Sequence, residues 1–458
     1  MILRGFLVAA GLSVLSACAT VAPETGPTRA SIPTGNINSV SFPRDIRPRG
    51  VPRSNIALAQ DFLDLTFALE RGETLTGLLR HEAPVRVFVH PGGLQAYRQD
   101  IENLLARMRA EAGLDIALTD DQSQARIHID GVTLRELQRV DPGAACFIVP
   151  GETSWRGFRS KSSNQRLRWS AQSTLGNTGI FIPTDTFPQD VRDCIHEEMA
   201  QALGPANDLY RLSDSVFNDD NFHSIVTPFD MLMLRALYDR ELSSGMPRQV
   251  VAGRIVGILD RINPGGSGRG SLPRAPSSSQ WKAAIETALT RRNSESRRTA
   301  AANRAVAVAQ GMSPQDHRLS VALITRGRVN RSRALARAAT DFIAAYEHSK
   351  KTLGVNDIRT AQAALHVAIV ALENRDFLAA MELAELHIEA ARRGQNAVLL
   401  SSLLAVQSAG LAATGQSAQA RAAQLDHLKW ARYAYGDSNG ARRRAQLEIE
   451  RILAALEE

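Results

Sequence analysis

The chain has 458 residues, 44% of them hydrophobic and 22% charged, with a formal net charge of +7. That length exceeds what one hydrophobic core usually serves, so two or more domains are expected, and the composition is ordinary for a globular protein. The excess of positive charge could suggest nucleic acid, but the arginines are scattered along helical stretches as solvated faces, and no nucleic-acid partner is expected.

The first element is a targeting segment. Arg4 precedes the uncharged apolar run from Gly5 to Leu15, too short to cross a bilayer as a mature helix but right for the core of a signal peptide. The run ends in Leu15-Ser16-Ala17-Cys18, which resembles the bacterial lipobox, where small residues admit the signal peptidase and the cysteine thiol receives the lipid. Residues 1–17 are then the signal peptide and Cys18 is the lipid attachment site, which makes the membrane a partner through that anchor. An ordinary secreted protein cleaved near Ala17 is the alternative. By the same resemblance, Ala19 rather than Asp after the cysteine implies the outer membrane, with the protein facing the periplasm. Cys146 and Cys194 remain as an even pair in an oxidising compartment, where a disulfide is expected and two buried thiols are the alternative.

Residues 18–55, with Pro23, Pro27, Pro33, Pro43, Pro48 and Pro52, read as a disordered tether. The next region, 56–262, is mixed α/β. Helical spacing of Ile56, Phe62, Leu63, Phe67 and Leu69 is followed by an alternating strand from Val85 to His90 and a long helix from Leu94 to Ala112. Further strands are expected at Leu114–Leu118, Ala125–Ile129, Cys146–Val149, Gln165–Ser170 and Gly179–Ile182. Trp155, Arg156, Arg159, Arg166, Arg168 and Trp169 interleave cations with aromatics, on a strand face and a mobile loop or on a binding rim. Asp185 and Thr186 are candidate caps for a helix running from Gln189 to Leu203 and closed by Gly204-Pro205.

On that helix, Val191, Ile195, Met199, Ala202 and Leu203 form an apolar stripe, while Cys194, Glu197, Glu198 and Gln201 form an adjoining polar one. His196-Glu197 looks like the start of the zinc motif H-E-x-x-H, but the second ligand would then be Ala200, which binds no metal. One residue later the spacing works. Glu197, Glu198, Gln201, Gly204, Asn207 and Asp208 give E-E-x-x-Q-x-x-G-x-x-N-D, which resembles the metzincin site with its three histidines replaced. In that frame Glu198 stands where the catalytic base would be, and Glu197, Gln201, Asn207 and Asp208 at the metal-ligand positions. The stretch Cys194–Asp208, with Ser215-Val216-Phe217-Asn218-Asp219 and Leu234–Met246, is similar to a proteobacterial lipoprotein family, domain-of-unknown-function family 2927, over about 60–250. The resemblance implies a zincin-like α+β fold without naming an activity, and whether the chain is an enzyme stays open. Zinc favours imidazole and thiolate, and these side chains offer only oxygen, so no cofactor is expected beyond a weak divalent cation.

Asn263 to Ser279 reads as a flexible linker, placing a boundary at 263–280. From Trp281 to residue 458 the chain is rich in Ala, Leu, Arg and Glu and almost free of proline, which is helical composition. Gly311, Gly354, Gly394 and Gly436 recur at nearly constant intervals, with shorter turns expected at Gly327, Asn374 and Gly415. Arg375–Ala380 and Gly415–Ala420 match each other and resemble the turn of tetratricopeptide repeats. The fold class is therefore an α/β zincin-like domain followed by an all-α array of helical hairpins. The function read from it is a protein-binding scaffold, its repeats gripping a protein or peptide; the alternative is a metal-dependent peptidase or other hydrolase acting on an envelope substrate.

Overall fold

The computed structural model describes residue 42 and residues 47–69, 72–161, 168–218, 222–270 and 278–436. Cys18 and the signal segment lie outside the described residues, as does most of the strand expected at Gln165–Ser170; Trp169–Ala171, at its end, is a short 3-10 turn.

The mixed region runs α1 (Asn55–Phe67), β1 (Val85–Val89), α2 (Arg98–Ala112), β2 (Ile116–Leu118), β3 (Ile127–Val132), α3 (Leu134–Gln138), β4 (Phe147–Pro150), α4 (Trp155–Lys161), β5 (Thr178–Pro183) and α5 (Pro188–Gln201). Two more helices, α6 (Pro228–Leu237) and α7 (Arg248–Ile262), complete it. The sheet order is β2-β1-β3-β5-β4, parallel throughout except for β4, which pairs antiparallel with β5 from Phe147↔Phe181 to Pro150↔Thr178. β5 is buried along its whole length, which is why Gly179-Ile180-Phe181-Ile182 reads as an unbroken rather than alternating run. Ile101, Leu104, Leu105 and Met108 of α2 face the core at three- and four-residue spacing, and α5 and α6 pack beside them. Trp155 belongs to a small aromatic core with Phe147, Phe158 and Phe181, and Arg159 lies over its ring, so this stretch is packing before it is a rim.

Asp185 and Thr186 are not the caps of α5. The helix starts one residue before Gln189, with Pro188 at its first position and Phe187 as the flanking residue. Proline there has no N–H to leave unsatisfied and already holds a helical φ, so no side-chain cap is needed. Asp185 instead accepts the backbone N–H of Leu134 at 2.7 Å, and Thr186 bonds the Pro183 carbonyl at 3.3 Å.

The helical region is built of hairpins: α8 (Ser279–Leu289) with α9 (Glu295–Gln310), α10 (Arg318–Asn330) with α11 (Leu335–Leu353), α12 (Ile358–Glu373) with α13 (Phe377–Arg393), and α14 (Ala397–Ala413) with α15 (Ser417–Tyr435). Each helix packs on the next, and α8, α10, α12 and α14 also touch in series. Gly311, Gly354, Gly394 and Gly436 each follow the second helix of a hairpin, which explains their regular spacing. Gly327 is not a turn. It lies inside α10, where an added Cβ would come within 2.5 Å of the Phe342 ring, so the small residue serves the α10–α11 crossing.

The mixed region and the hairpins pack against each other. The Tyr210 carbonyl meets His317 Nε2 at 2.8 Å and its ring stands edge-on to Trp281 at 5.5 Å; Arg359 donates to the Leu212 carbonyl at 3.3 Å. At the stretch read as a linker, Asn263 is 1% exposed, and its side chain bonds both the N–H and the carbonyl of Val51, at 3.1 Å each. Phe42, from the stretch read as a tether, stacks on Trp430 at 4.4 Å and meets Tyr433 edge-on at 5.6 Å.

Candidate functional site

Helix α5 carries the motif. Val191, Ile195, Met199, Ala202 and Leu203 are buried in the main core, as their spacing requires. The adjoining polar stripe is covered as well: Cys194 is 4%, Glu198 5% and Gln201 7% exposed, while Glu197 is half-buried. Cys194 is disulfide-bonded to Cys146, with Cα atoms 6.0 Å apart, and ties α5 to the chain entering the antiparallel edge strand β4.

Past the helix the chain turns at Gly204, whose φ is +136° and whose missing Cβ leaves room for the Leu79 carbonyl, 2.5 Å from where that atom would stand. No other residue combines that φ with that contact. The turn brings Asp208 back to the helix, where it accepts a hydrogen bond from Gln201 Nε2 at 3.0 Å. Asn207 goes elsewhere, donating to the Asp64 carbonyl of α1 at 2.8 Å, beside Arg211, which reaches Asp61 at 3.0 Å and Asp64 at 2.7 Å. The structure therefore unites Gln201 with Asp208 and assigns Asn207 to anchoring the loop on α1. Glu197 and Glu198 share the stripe and are each engaged by polar or electrostatic contacts within the protein.

Zinc, the metal that the metzincin resemblance would imply, does not fit these donors. His196 projects from another face of the helix, Cys194 is spent in the disulfide, Asn207 is turned away to the Asp64 carbonyl, and the groups that remain offer only oxygen. Among the described residues no group of three or more His, Cys, Asp or Glu side chains could hold a metal ion. His223 does not join the stripe either; its Nε2 pairs with the Ser213 carbonyl at 3.0 Å.

The opposite face of α5 looks into a cavity of about 790 Å³, walled by α2, α5, the loop before α6 and the ends of α12, α13 and α15. Arg192, only 7% exposed at its side chain, pairs with Asp100 of α2 at 3.1 Å, bonds the Tyr433 carbonyl at 3.1 Å and lies 3.8 Å over the Tyr433 ring. One turn on, His196 Nδ1 accepts the Val226 N–H at 3.3 Å. Burial, with the charges of Arg107 and Arg192 nearby, pushes this imidazole down to about 3, so it is neutral and its proton sits on Nε2. Arg107 forks onto Glu111 at 2.7 and 3.2 Å, and its Nη1 finds no acceptor among the described residues. Beside this face Asp193 accepts from Gln189 Nε2 at 2.6 Å, yet burial still raises its carboxyl to about 7.

The sequence pattern sets His196 aside because Ala200 stands at the second ligand position, and it singles out neither Arg192 nor Arg107. A signal was there: Arg192 and His196 are one helical turn apart, as two turns separate Asp100 from Arg107, so each pair shares a face. Which element would oppose those faces was not readable.

A comparison with curated proteins found no match. Residues 55–256 match the profile of a family described as protein of unknown function (DUF2927). That match spans the chain from the start of α1 to within α7, and so includes the sheet, α5 and the loop behind it. The mixed α/β region of this chain, from residue 55 to residue 256, is a DUF2927 domain.

Proposed function

We propose that this chain is a lipid-anchored envelope protein that acts by binding. Its DUF2927 domain is a zincin-like scaffold retired from catalysis, and its tetratricopeptide-like hairpins provide a second protein-binding surface. The observation that supports this reading is the donor set of the motif face, where Gln201 offers only an amide oxygen and the one thiol, Cys194, is spent in the disulfide with Cys146. The order of β1, α2, β2, β3 and then α5 supports the zincin-like part. The turns at Asn374 and Gly415, with Ala380 and Ala420 buried behind them, support the repeat part. Arg4, the apolar run and Leu15-Ser16-Ala17-Cys18 support the anchor, and Ala19 an outer-membrane address facing the periplasm.

Elemental analysis of the purified mature protein beside a Glu198→Gln variant, both assayed on unfolded protein substrates, tests the retired site. The expected result is no stoichiometric zinc and no proteolysis that depends on Glu198. Stoichiometric zinc with proteolysis abolished by the substitution would overturn the reading and make Glu198 the base of a peptidase. Cys18→Ser should release the protein into the soluble envelope fraction, and retention on membranes would overturn the anchor.

A further inference from the structure

The arginines of the helical region are scattered along the sequence, and the fold gathers many of them on one edge. Helices α10, α12 and α14 start against the DUF2927 domain, where His317 meets the Tyr210 carbonyl, Arg359 the Leu212 carbonyl, and the Ala397 N–H the Gln189 side chain at 3.3 Å. Each then runs about 20–25 Å away from that contact, so the turns inside the hairpins form the opposite edge. Three of these turns are basic: Arg291 and Arg292 lie between α8 and α9, Arg331 and Arg333 between α10 and α11, and Arg375 between α12 and α13. Ion pairs lace them side by side, Arg333 to Glu295 across the first two and Arg331 to Glu373 across the second and third. With Asp376 capping α13, the acids of the three turns are occupied.

Cations are left over. Arg291, Arg292, Arg297, Arg337 and Arg375 are exposed and form no ion pair among the described residues. Arg291 and Arg298 also stand near enough to Arg328 to act on its charge. A leucine protrudes at each of the same turns: Leu289 ends α8, Leu335 begins α11 and Leu378 lies in the first turn of α13, at 46%, 43% and 64% exposed. The fourth turn, Thr414-Gly415-Gln416, has neither a cation nor a leucine.

We propose that this edge lies on the anionic phospholipid surface of the membrane that holds the lipid anchor, with its arginines at the headgroups and its three leucines below them. The inference rests on the lipid-anchored reading and adds an orientation to it. Two observations choose a bilayer over an acidic protein segment. The cations and leucines are spread over the tips of three successive hairpins, which present a plane rather than a track for one strand. Each leucine also stands beside arginines, the pattern of a surface that settles at the headgroup boundary, where the apolar chain leaves water and the guanidinium stays level with phosphate. The segment from Cys18 to Phe42 can span up to about 80 Å, against about 25 Å for a hairpin helix, so the anchor lets this edge reach the bilayer. The DUF2927 domain, on the other edge, then faces away from the membrane. Salt screens such a contact, so it orients an anchored molecule and does not replace Cys18.

The test uses the mature chain with Cys18→Ser, sedimented with vesicles of phosphatidylcholine alone or with about 40% phosphatidylglycerol, at about 20 and about 200 mM salt. At low salt the anionic vesicles should bind it at least about ten-fold better than the neutral ones, and high salt should remove most of that preference. Arg291→Gln, Arg292→Gln and Arg337→Gln together should weaken binding about ten-fold, and Leu335→Ser with Leu378→Ser about five-fold. Removing three exposed arginines of the DUF2927 domain, by Arg135→Gln, Arg156→Gln and Arg240→Gln, should change it less than about two-fold. Equal weakening by the two arginine triples would mean that net charge alone attracts the protein, and would overturn the proposal. Equal binding to both kinds of vesicle would do the same, as would binding of an oligoglutamate peptide with none to the vesicles. The unlipidated chain makes this assay blind to the anchor, which cell fractionation tests alone, so the two can fail separately.

Discussion

Two faces of helix α5 are polar for different reasons. Cys194, Glu198 and Gln201 stand at motif spacing, and the structure uses them for cross-links: a disulfide to Cys146 and a hydrogen bond to Asp208. Arg192 and His196 match no motif. They line a cavity, and Arg192 also fastens α5 to Tyr433 of the last described hairpin. The contrast teaches that a ligand-like spacing reports where side chains point from one helix, whereas a site requires the opposing wall.

If the motif face is structural, breaking its covalent tie should have the largest effect. Replacing both Cys146 and Cys194 by serine frees a loop of 48 residues and should cost about 4 kcal/mol on the chain-entropy account, read as a lowered denaturation midpoint under oxidising conditions. An unchanged midpoint would mean that the tie constrains nothing the fold does not already hold.

Arg192→Ala sharpens the other side of the comparison. It removes the pair with Asp100, the bond to the Tyr433 carbonyl and the contact with the Tyr433 ring, and should cost about 2–3 kcal/mol by urea unfolding. Protease sensitivity within 264–280 should rise with it, because α5 and α15 then part more easily. A stability loss without that sensitivity would confine the role of Arg192 to the DUF2927 domain.

His196 predicts a pH dependence. Its folded-state value near 3 lies below the unfolded 6.5, so between those values the unfolded chain binds the extra proton. Its contribution is therefore complete above pH 6.5 and lost as pH falls; the loss by pH 5.5 should amount to about 1.4 kcal/mol. Comparing His196→Asn with the parent at pH 7.5 and 5.5 isolates it, and equal slopes would place the imidazole in water. Gln201→Leu should have the smallest effect, about 1 kcal/mol for one hydrogen bond, with metal content unaltered. A change in bound metal on that substitution would restore the motif face as a ligand site.

The sequence by itself determined the periodic features. The core stripe of α5, the helix of Ile101, Leu104, Leu105 and Met108, and the glycines that close each hairpin follow from spacing along one element, and local geometry suffices to place them. It erred where a neighbour outranked a local signal. Gly327 is small because Phe342 lies against it rather than because the chain turns, and Asp185 serves Leu134 rather than the helix beside it. The tertiary structure alone decided that Asn207 holds α1 while Asp208 returns to Gln201, and that α2 and the hairpins wall a cavity around His196. Those outcomes depend on contacts between segments far apart in the chain, such as Arg192 with Tyr433 and Asn263 with Val51. Such contacts are fixed by how whole surfaces pack, and a pattern within one helix carries no record of them.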